Sequence, residues 1–370
     1  MHNTKIVLAE SEQTSPESES TNKSLPVTDP NILKLALAER LKKLIAVQGE
    51  FHLPCMPTML DEYLKLITGF LKLLGQQFTQ EEADALQKLI ANNLSEGFRT
   101  SPHSRLILSY KPADAKAGLA SGITINTAVH VESVADNYET WPQLREEPLF
   151  GSHPDAKVMA VATELGDPSN SPILDVGAGP GRNSLPLAKL GYPVDAIELT
   201  PIFAQKLSDA STAEGLPVNV TQGNVLDPLL RMRIAHYRLA IAAEVVSHFR
   251  YTEQVRLFLA KMCDALQSGG LLLFSAFIAA DGYEPDDMVR EMSEVSWSYL
   301  ITRSELLSAM EGLPLEMLSE EPVIEYEQSH LPKEAWPPTT WFVNWATGRD
   351  LFPIQQQPPM ELRWLLARRR

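Results

Sequence analysis

Pro172–Thr200 reads PILDVGAGPGRNSLPLAKLGYPVDAIELT. An apolar run ends in Asp175, and Gly177, Gly179 and Gly181 follow it. A helix-like segment comes next, then a second short apolar run ending in Glu198. Glycines after a first strand let the backbone approach a ligand closely, and the next helix N-terminus offers unpaired N–H groups. Several nucleotide ligands use such a turn, so its details have to discriminate between them.

A phosphate loop of the GxxxxGK[ST] type needs a lysine, and none follows here. The dinucleotide fingerprint is GxGxxG, whereas Gly177–Gly181 is GxGxG with Arg182 where a third glycine would stand. Asp175, two residues before the first glycine, would repel a pyrophosphate but suits an ammonium. Glu198 ends the second strand, where a carboxylate accepts both hydroxyls of a ribose, although NAD ribose would be served equally well. Gly223-Asn224-Val225 follows a third apolar run, where Asn224 meets an adenine amino group and the Val225 N–H a ring nitrogen. Ammonium, ribose and adenine together describe S-adenosyl-L-methionine (SAM). Gly177 and Gly179 belong to this expected cofactor set, and Glu244 either joins it or is a plain strand-end carboxylate.

These residues resemble the class I SAM-dependent methyltransferase family. DVGAGPG is similar to its first motif, Glu198 to its second and Gly223-Asn224-Val225 to its third, with Asn224 where the family usually carries Asp. GRNSLPLAKLGYPVDAIE resembles the small-molecule branch that includes tellurite-resistance-type methyltransferases. The resemblance covers about residues 160–370. It implies an α/β fold: a seven-stranded Rossmann-like sheet, mostly parallel, with the last strand antiparallel.

The pattern around the turn agrees. Strands are predicted at Ile173–Val176, Val194–Ile197, Val218–Thr221, Leu239–Ala242 and Leu271–Phe277, with helical segments between them. Gly269-Gly270 reads as a helix stop, and late strands are predicted near Leu315–Tyr326 and Leu362–Leu366. Residues 29–150 are expected to form a mainly helical N-terminal domain serving as a substrate wall, a docking surface or a dimer contact. Its helices start at Asp29-Pro30, near Thr58 and at the capping box Thr79/Glu82, and one or two strands lie within Arg105–Val134. The first helix puts Leu33, Leu37, Leu41, Leu44 and Ile45 on one face. Residues 1–28, rich in Ser, Thr, Glu and Pro, are expected to be a disordered tail, and 151–370 to be the SAM-binding domain.

Acids outnumber bases 47 to 32, giving a net charge of −15 and arguing against a nucleic-acid partner. AAEVVSHF, after the fourth sheet strand, also lacks the [DNS]PP[YF] run of base-amino methyltransferases. No apolar stretch reaches 18 residues, so no membrane span is expected, and no secretory leader is read. Cys55 and Cys263, the only cysteines, make neither a disulfide framework nor a thiolate metal site, so a reducing cytoplasm and no metal are expected. Oligomeric state is not legible.

For chemistry, methyl transfer from a sulfonium needs a positioned nucleophile, and a base only where the nucleophile must lose a proton. His248 lies where the family faces the methyl group, and is either that base or a packing residue beneath the next helix. Tyr138 and Trp141, with Trp341 and Trp345 of a WxxxWxxGR stretch, are candidate substrate-binding aromatics or plain packing. Arg182 and Asn183 read as helix caps. The expectation is an enzyme methylating an O, N or C acceptor of a small molecule. The alternatives are a protein side-chain methyltransferase and a SAM-binding protein without catalysis.

Overall fold

The computed structural model describes residues 4–7, 29–42, 48–73, 78–112, 123–145 and 147–370. The chain divides into two compact units, Met1–Ser133 and Val134–Arg370. The division falls before the residue-150 boundary read from the sequence, because the helix carrying Tyr138 belongs to the second unit.

The first unit is more β-rich than a mainly helical domain. Strands β1 (Thr4–Val7), β2 (Gly49–Pro54), β3 (Arg105–Pro112) and β4 (Ile123–His130) form an antiparallel sheet in the order β1-β4-β3-β2. β1 lies in the stretch expected to be disordered; its backbone pairs with β4, Thr4 opposite Thr127. Helices α1 (Pro30–Lys42), α2 (Leu60–Leu73) and α3 (Gln80–Thr100) complete the unit. The Thr79/Glu82 capping box forms as read, with both reciprocal hydrogen bonds present. Ile67, Leu71, Leu86, Ile90 and Leu94 pack with Leu106, Leu108 and Ile125 in a closed core. In α1, however, Leu33, Leu37 and Leu41 are each more than half exposed. Leu44 and Ile45 lie outside the described residues.

The second unit carries the expected α/β sheet. Its strands are β5 (Ile173–Val176), β6 (Val194–Glu198), β7 (Val218–Gln222), β8 (Tyr237–Ala242), β9 (Leu266–Ala279), β10 (Leu300–Ile301), β11 (Leu315–Pro322) and β12 (Met360–Arg369). Seven run in the order β11-β12-β9-β8-β5-β6-β7, and the two-residue β10 pairs with β9. β5 to β9 are parallel to one another, while β12 is antiparallel to both β9 and β11. All four residues of β5 are buried, as befits a parallel strand covered on both faces. Helices α4 (Val134–Leu144), α5 (Ala156–Thr163), α6 (Ser184–Lys189), α7 (Pro201–Glu214), α8 (Thr252–Ala265), α9 (Asp287–Val295), α10 (Arg303–Met310), α11 (Val323–His330) and α12 (Phe342–Ala346) supply the rest.

Two readings change. Gly269-Gly270 does not stop a helix: α8 ends at Ala265 and the glycines lie inside β9. There Tyr237 faces Leu266 while Leu239 already faces Leu271, so the pair is a bulge. The strand expected to reach Tyr326 ends at Pro322, and Val323 opens α11. The strand order reverses between β5 and β8, and a crevice forms at such a switch point, beyond the carboxyl ends of the strands.

Candidate functional site

A cleft of about 270 Å³ occupies that crevice, lined by residues of the glycine turn and of the segments after β6, β7 and β8. The turn backbone is tied to the next strand: the Gly177 and Ala178 N–H groups both donate to the Ile197 carbonyl, at 2.8 and 3.2 Å. Gly177 has φ +70, and a Cβ there would stand 2.4 Å from Cγ2 of Val245. Only glycine fits both the left-handed backbone and the contact. Around Gly179, also at positive φ, a Cβ would meet nothing within 4 Å, so this part of the turn faces open space.

Glu198 is 5% exposed, yet it lines the cleft. Its Oε2 accepts from the Gly179 N–H at 2.8 Å and its Oε1 from the Thr200 N–H at 2.7 Å. Each oxygen keeps a second lone pair, so the carboxylate that pins the turn can still accept a hydroxyl from the cleft. Burial raises its pKa, and the backbone hydrogen bonds work against that shift. The Gly223 N–H donates to the Glu198 carbonyl, which brings the loop after β7 alongside. Asn224 lines the cleft, and its Oδ1 accepts from the Leu226 N–H at 2.9 Å, a local turn that presents the side chain. Val225 is buried and also lines the cleft.

Asp175, expected at a ligand ammonium, is 2% exposed and is not among the lining residues. It sits under the turn, where Ser184 Oγ donates to its Oδ2 at 2.6 Å. Burial pushes its pKa up to about 7, against the Ser184 hydrogen bond, which lowers it. An unfolded aspartate titrates near 3.9. From about pH 4 to 7 the folded chain therefore holds this proton more tightly than the unfolded chain, and the stability it contributes falls as pH rises through that window. Asp175→Asn removes the titration. Its melting temperature, measured without ligand, is expected to gain on the parent's from pH 5 to pH 8. Parallel pH curves would contradict the buried, raised carboxyl.

Glu244 lines the cleft from the segment after β8, with its backbone at φ +60. Arg182 lines it too and is not a helix cap: it donates to Asp155 Oδ1 at 2.7 Å and to Glu244 Oε1 at 2.8 Å. Asn183 does stand at the N-cap position of α6, but its side chain makes no cap bond and instead holds Asp155, giving Nδ2 to Oδ2 and taking the Asp155 N–H. Burial opposes the Arg182 charge, but Asp155 and Glu244 outweigh it and raise its pKa. Glu327 closes the network by accepting the Ala156 and Lys157 N–H groups at the start of α5, and burial pushes its pKa up to about 7.

His248 and Tyr138 also line the cleft, and the Tyr138 hydroxyl lies 3.1 Å from His248 Nε2. Tyr138 is set by an aromatic cluster: its ring is 4.6 Å from Trp141 and 5.1 Å from Trp297. Trp141 stacks on Trp297 at 5.1 Å, and the Arg145 guanidinium lies 3.7 Å over Trp141. Trp141, Trp341 and Trp345 do not line the cleft. They back the cluster, Trp341 meeting Trp141 at 6.2 Å and Trp345 donating its indole N–H to the Trp297 carbonyl at 3.1 Å. Phe150 and Phe203, which line the cleft beside Tyr138, and Trp297 were not singled out from the sequence. Single aromatics outside any motif carry no spacing signal.

Residues 173–270 match the family model of a methyltransferase domain. No curated protein matches the chain. Among solved structures it is similar to a Streptomyces coelicolor geranyl diphosphate C-methyltransferase bound to Mg2+, geranyl diphosphate and S-adenosyl-L-homocysteine. That likeness has 14% identity and a TM-score of 0.47 over 58% of this chain and 79% of the other. It is also similar to phosphoethanolamine N-methyltransferase 2 of Haemonchus contortus in complex with SAM, with 12% identity and a TM-score of 0.47 over 71% and 69% of the two chains. Likenesses this distant say nothing about the acceptor. Among the described residues no cluster suits a metal ion, and no helix is long and apolar enough to cross a membrane. With residues 173–270 matching that domain and this cleft at the strand ends, the chain carries an S-adenosyl-L-methionine-dependent methyltransferase domain.

Proposed function

We propose that the protein transfers a methyl group from SAM to an O, N or C atom of a small molecule held inside this cleft. The observation that carries the reading is the Tyr138–His248 pair, a proton acceptor and its partner in the partly aromatic lining of the cleft. Glu198 takes the ribose hydroxyls, Asn224 and Val225 the adenine, and the glycine turn gives the close approach. When bound, SAM supplies a methyl group on a positively charged sulfur that departs neutral. The chain's own tasks are to orient the acceptor, exclude water and take a proton from an acceptor that carries one.

Burial first, then Glu244 and Glu198, hold the Tyr138 phenol above its ordinary pKa, so it stays protonated. A neutral His248 with its hydrogen on Nδ1 accepts that phenol proton at Nε2. An acceptor O–H or N–H set against the Tyr138 oxygen gives its proton to that oxygen as the phenol proton moves to Nε2. The imidazolium then returns the proton to solvent. Trp141, Trp341 and Trp345 hold Tyr138 in place from behind. The buried, unlinked Cys55 and Cys263 agree with a reducing compartment such as the cytoplasm.

The test uses methyl-labelled SAM with fractionated cell extract. Label should enter an organic product from the low-molecular-weight fraction alone. Label only in protein bands would replace this reading with side-chain methylation, with residues 29–133 as the docking unit.

A further inference from the structure

The cleft needs a group for the amino-acid end of the cofactor. Its lining carboxylates are Glu198 and Glu244. Glu198 holds two backbone N–H groups on the ribose side, and Asp175 lies under the turn. Glu244 is held unusually firmly. Its N–H donates to Ser275 Oγ at 2.7 Å and its carbonyl accepts from Ser247 Oγ at 2.9 Å. These contacts keep a non-glycine residue at φ +60, a conformation that persists only when its surroundings impose it. Arg182 spends one nitrogen on Glu244 and the other on Asp155. Burial raises the Glu244 pKa, and Arg182 works against that shift; with both carboxylates ionised, two carboxylates and one guanidinium leave one negative charge uncompensated.

We infer that Glu244 receives the cofactor's ammonium, and that Asp155, upstream of the matched domain, is the positioning residue that keeps it able to do so. Asp155 is itself clamped by Asn183 through two hydrogen bonds of 2.9 Å. It holds one arm of the guanidinium away from Glu244. Without the Asp155 charge, the planar fork of Arg182 turns onto Glu244, pairs with both of its oxygens and neutralises it. The negative charge facing the cleft is then lost. This inference rests on the SAM reading of the site.

The test is calorimetric binding of two probes. S-adenosylhomocysteine carries the ammonium, whereas 5′-methylthioadenosine has the same adenosine and thioether without the amino-acid end. Asp155→Asn should weaken S-adenosylhomocysteine about tenfold or more, the loss expected for a charge-assisted contact. It should leave 5′-methylthioadenosine within about twofold, since the adenosine site is untouched. Glu244→Gln should behave alike, and the double variant should lose no more than the worse single one, because both act on one contact. Unchanged S-adenosylhomocysteine binding by Asp155→Asn, a parallel loss of both probes or multiplying losses would each overturn the inference. If Asp155→Asn does not fold, Asn183→Ala, which removes the clamp on Asp155 and loosens its hold on Arg182, should show the same selective loss in smaller measure. If the parent binds neither probe, the cofactor reading itself fails.

Discussion

His248→Ala should lower methyl transfer to the acceptor found in the extract by about 10²- to 10⁴-fold, the range for removing a positioned base. S-adenosylhomocysteine affinity should stay close to the parent's, since His248 meets the acceptor side of the cleft through Tyr138. His248→Gln should not rescue turnover, because an amide cannot take the proton. Tyr138→Phe keeps the ring that packs on Trp141 and Trp297 but removes the hydroxyl. It should therefore lower turnover in the same direction without lowering the melting temperature. A folded His248→Ala protein with near-parent turnover would return His248 to a packing role.

Glu198→Ala should all but abolish cofactor binding. It removes a hydroxyl acceptor from the cleft and leaves the Gly179 and Thr200 N–H groups without their carboxylate. Hydrogen bonds to a charged acceptor are worth about 1.5–3 kcal/mol each. Two such bonds from ligand hydroxyls to the carboxylate support an affinity loss of about a hundredfold or more, and the two lost backbone bonds a drop in melting temperature. Glu198→Gln keeps one acceptor oxygen and should fall between the parent and the alanine variant. Calorimetry and thermal melts check both variants, and parent-like binding by Glu198→Ala would remove Glu198 from the site.

The methyltransferase sheet was legible because its parallel strands are buried on both faces and read as continuous apolar runs; Ile173–Val176 is the clearest. The capping box at Thr79/Glu82 was legible because its chemistry is local, and it formed. The first unit's sheet was harder to see. β2 is a half-exposed strand containing His52 and Pro54, and it pairs with a strand more than 50 residues away. Val323–Gln328 imitates the two-residue period of a strand, but Pro322 ends β11 and the segment turns into α11. In the site, Glu198, Asn224 and His248 stand at strand ends, where a spacing argument reaches them. The Asp155–Arg182–Glu244 chain joins residues 27 and 62 positions apart, so only the folded chain brings them together. Asp175 was read by its distance from the glycines, but spacing alone does not tell whether a carboxylate faces the ligand or lies beneath the turn.

The most direct test of the account is calorimetric titration of the unmodified protein with S-adenosylhomocysteine and, separately, with NADH. The glycine turn, Glu198 and Asn224 predict a one-site isotherm with S-adenosylhomocysteine and no heat of binding with NADH. Saturable binding of NADH with none of S-adenosylhomocysteine would contradict it.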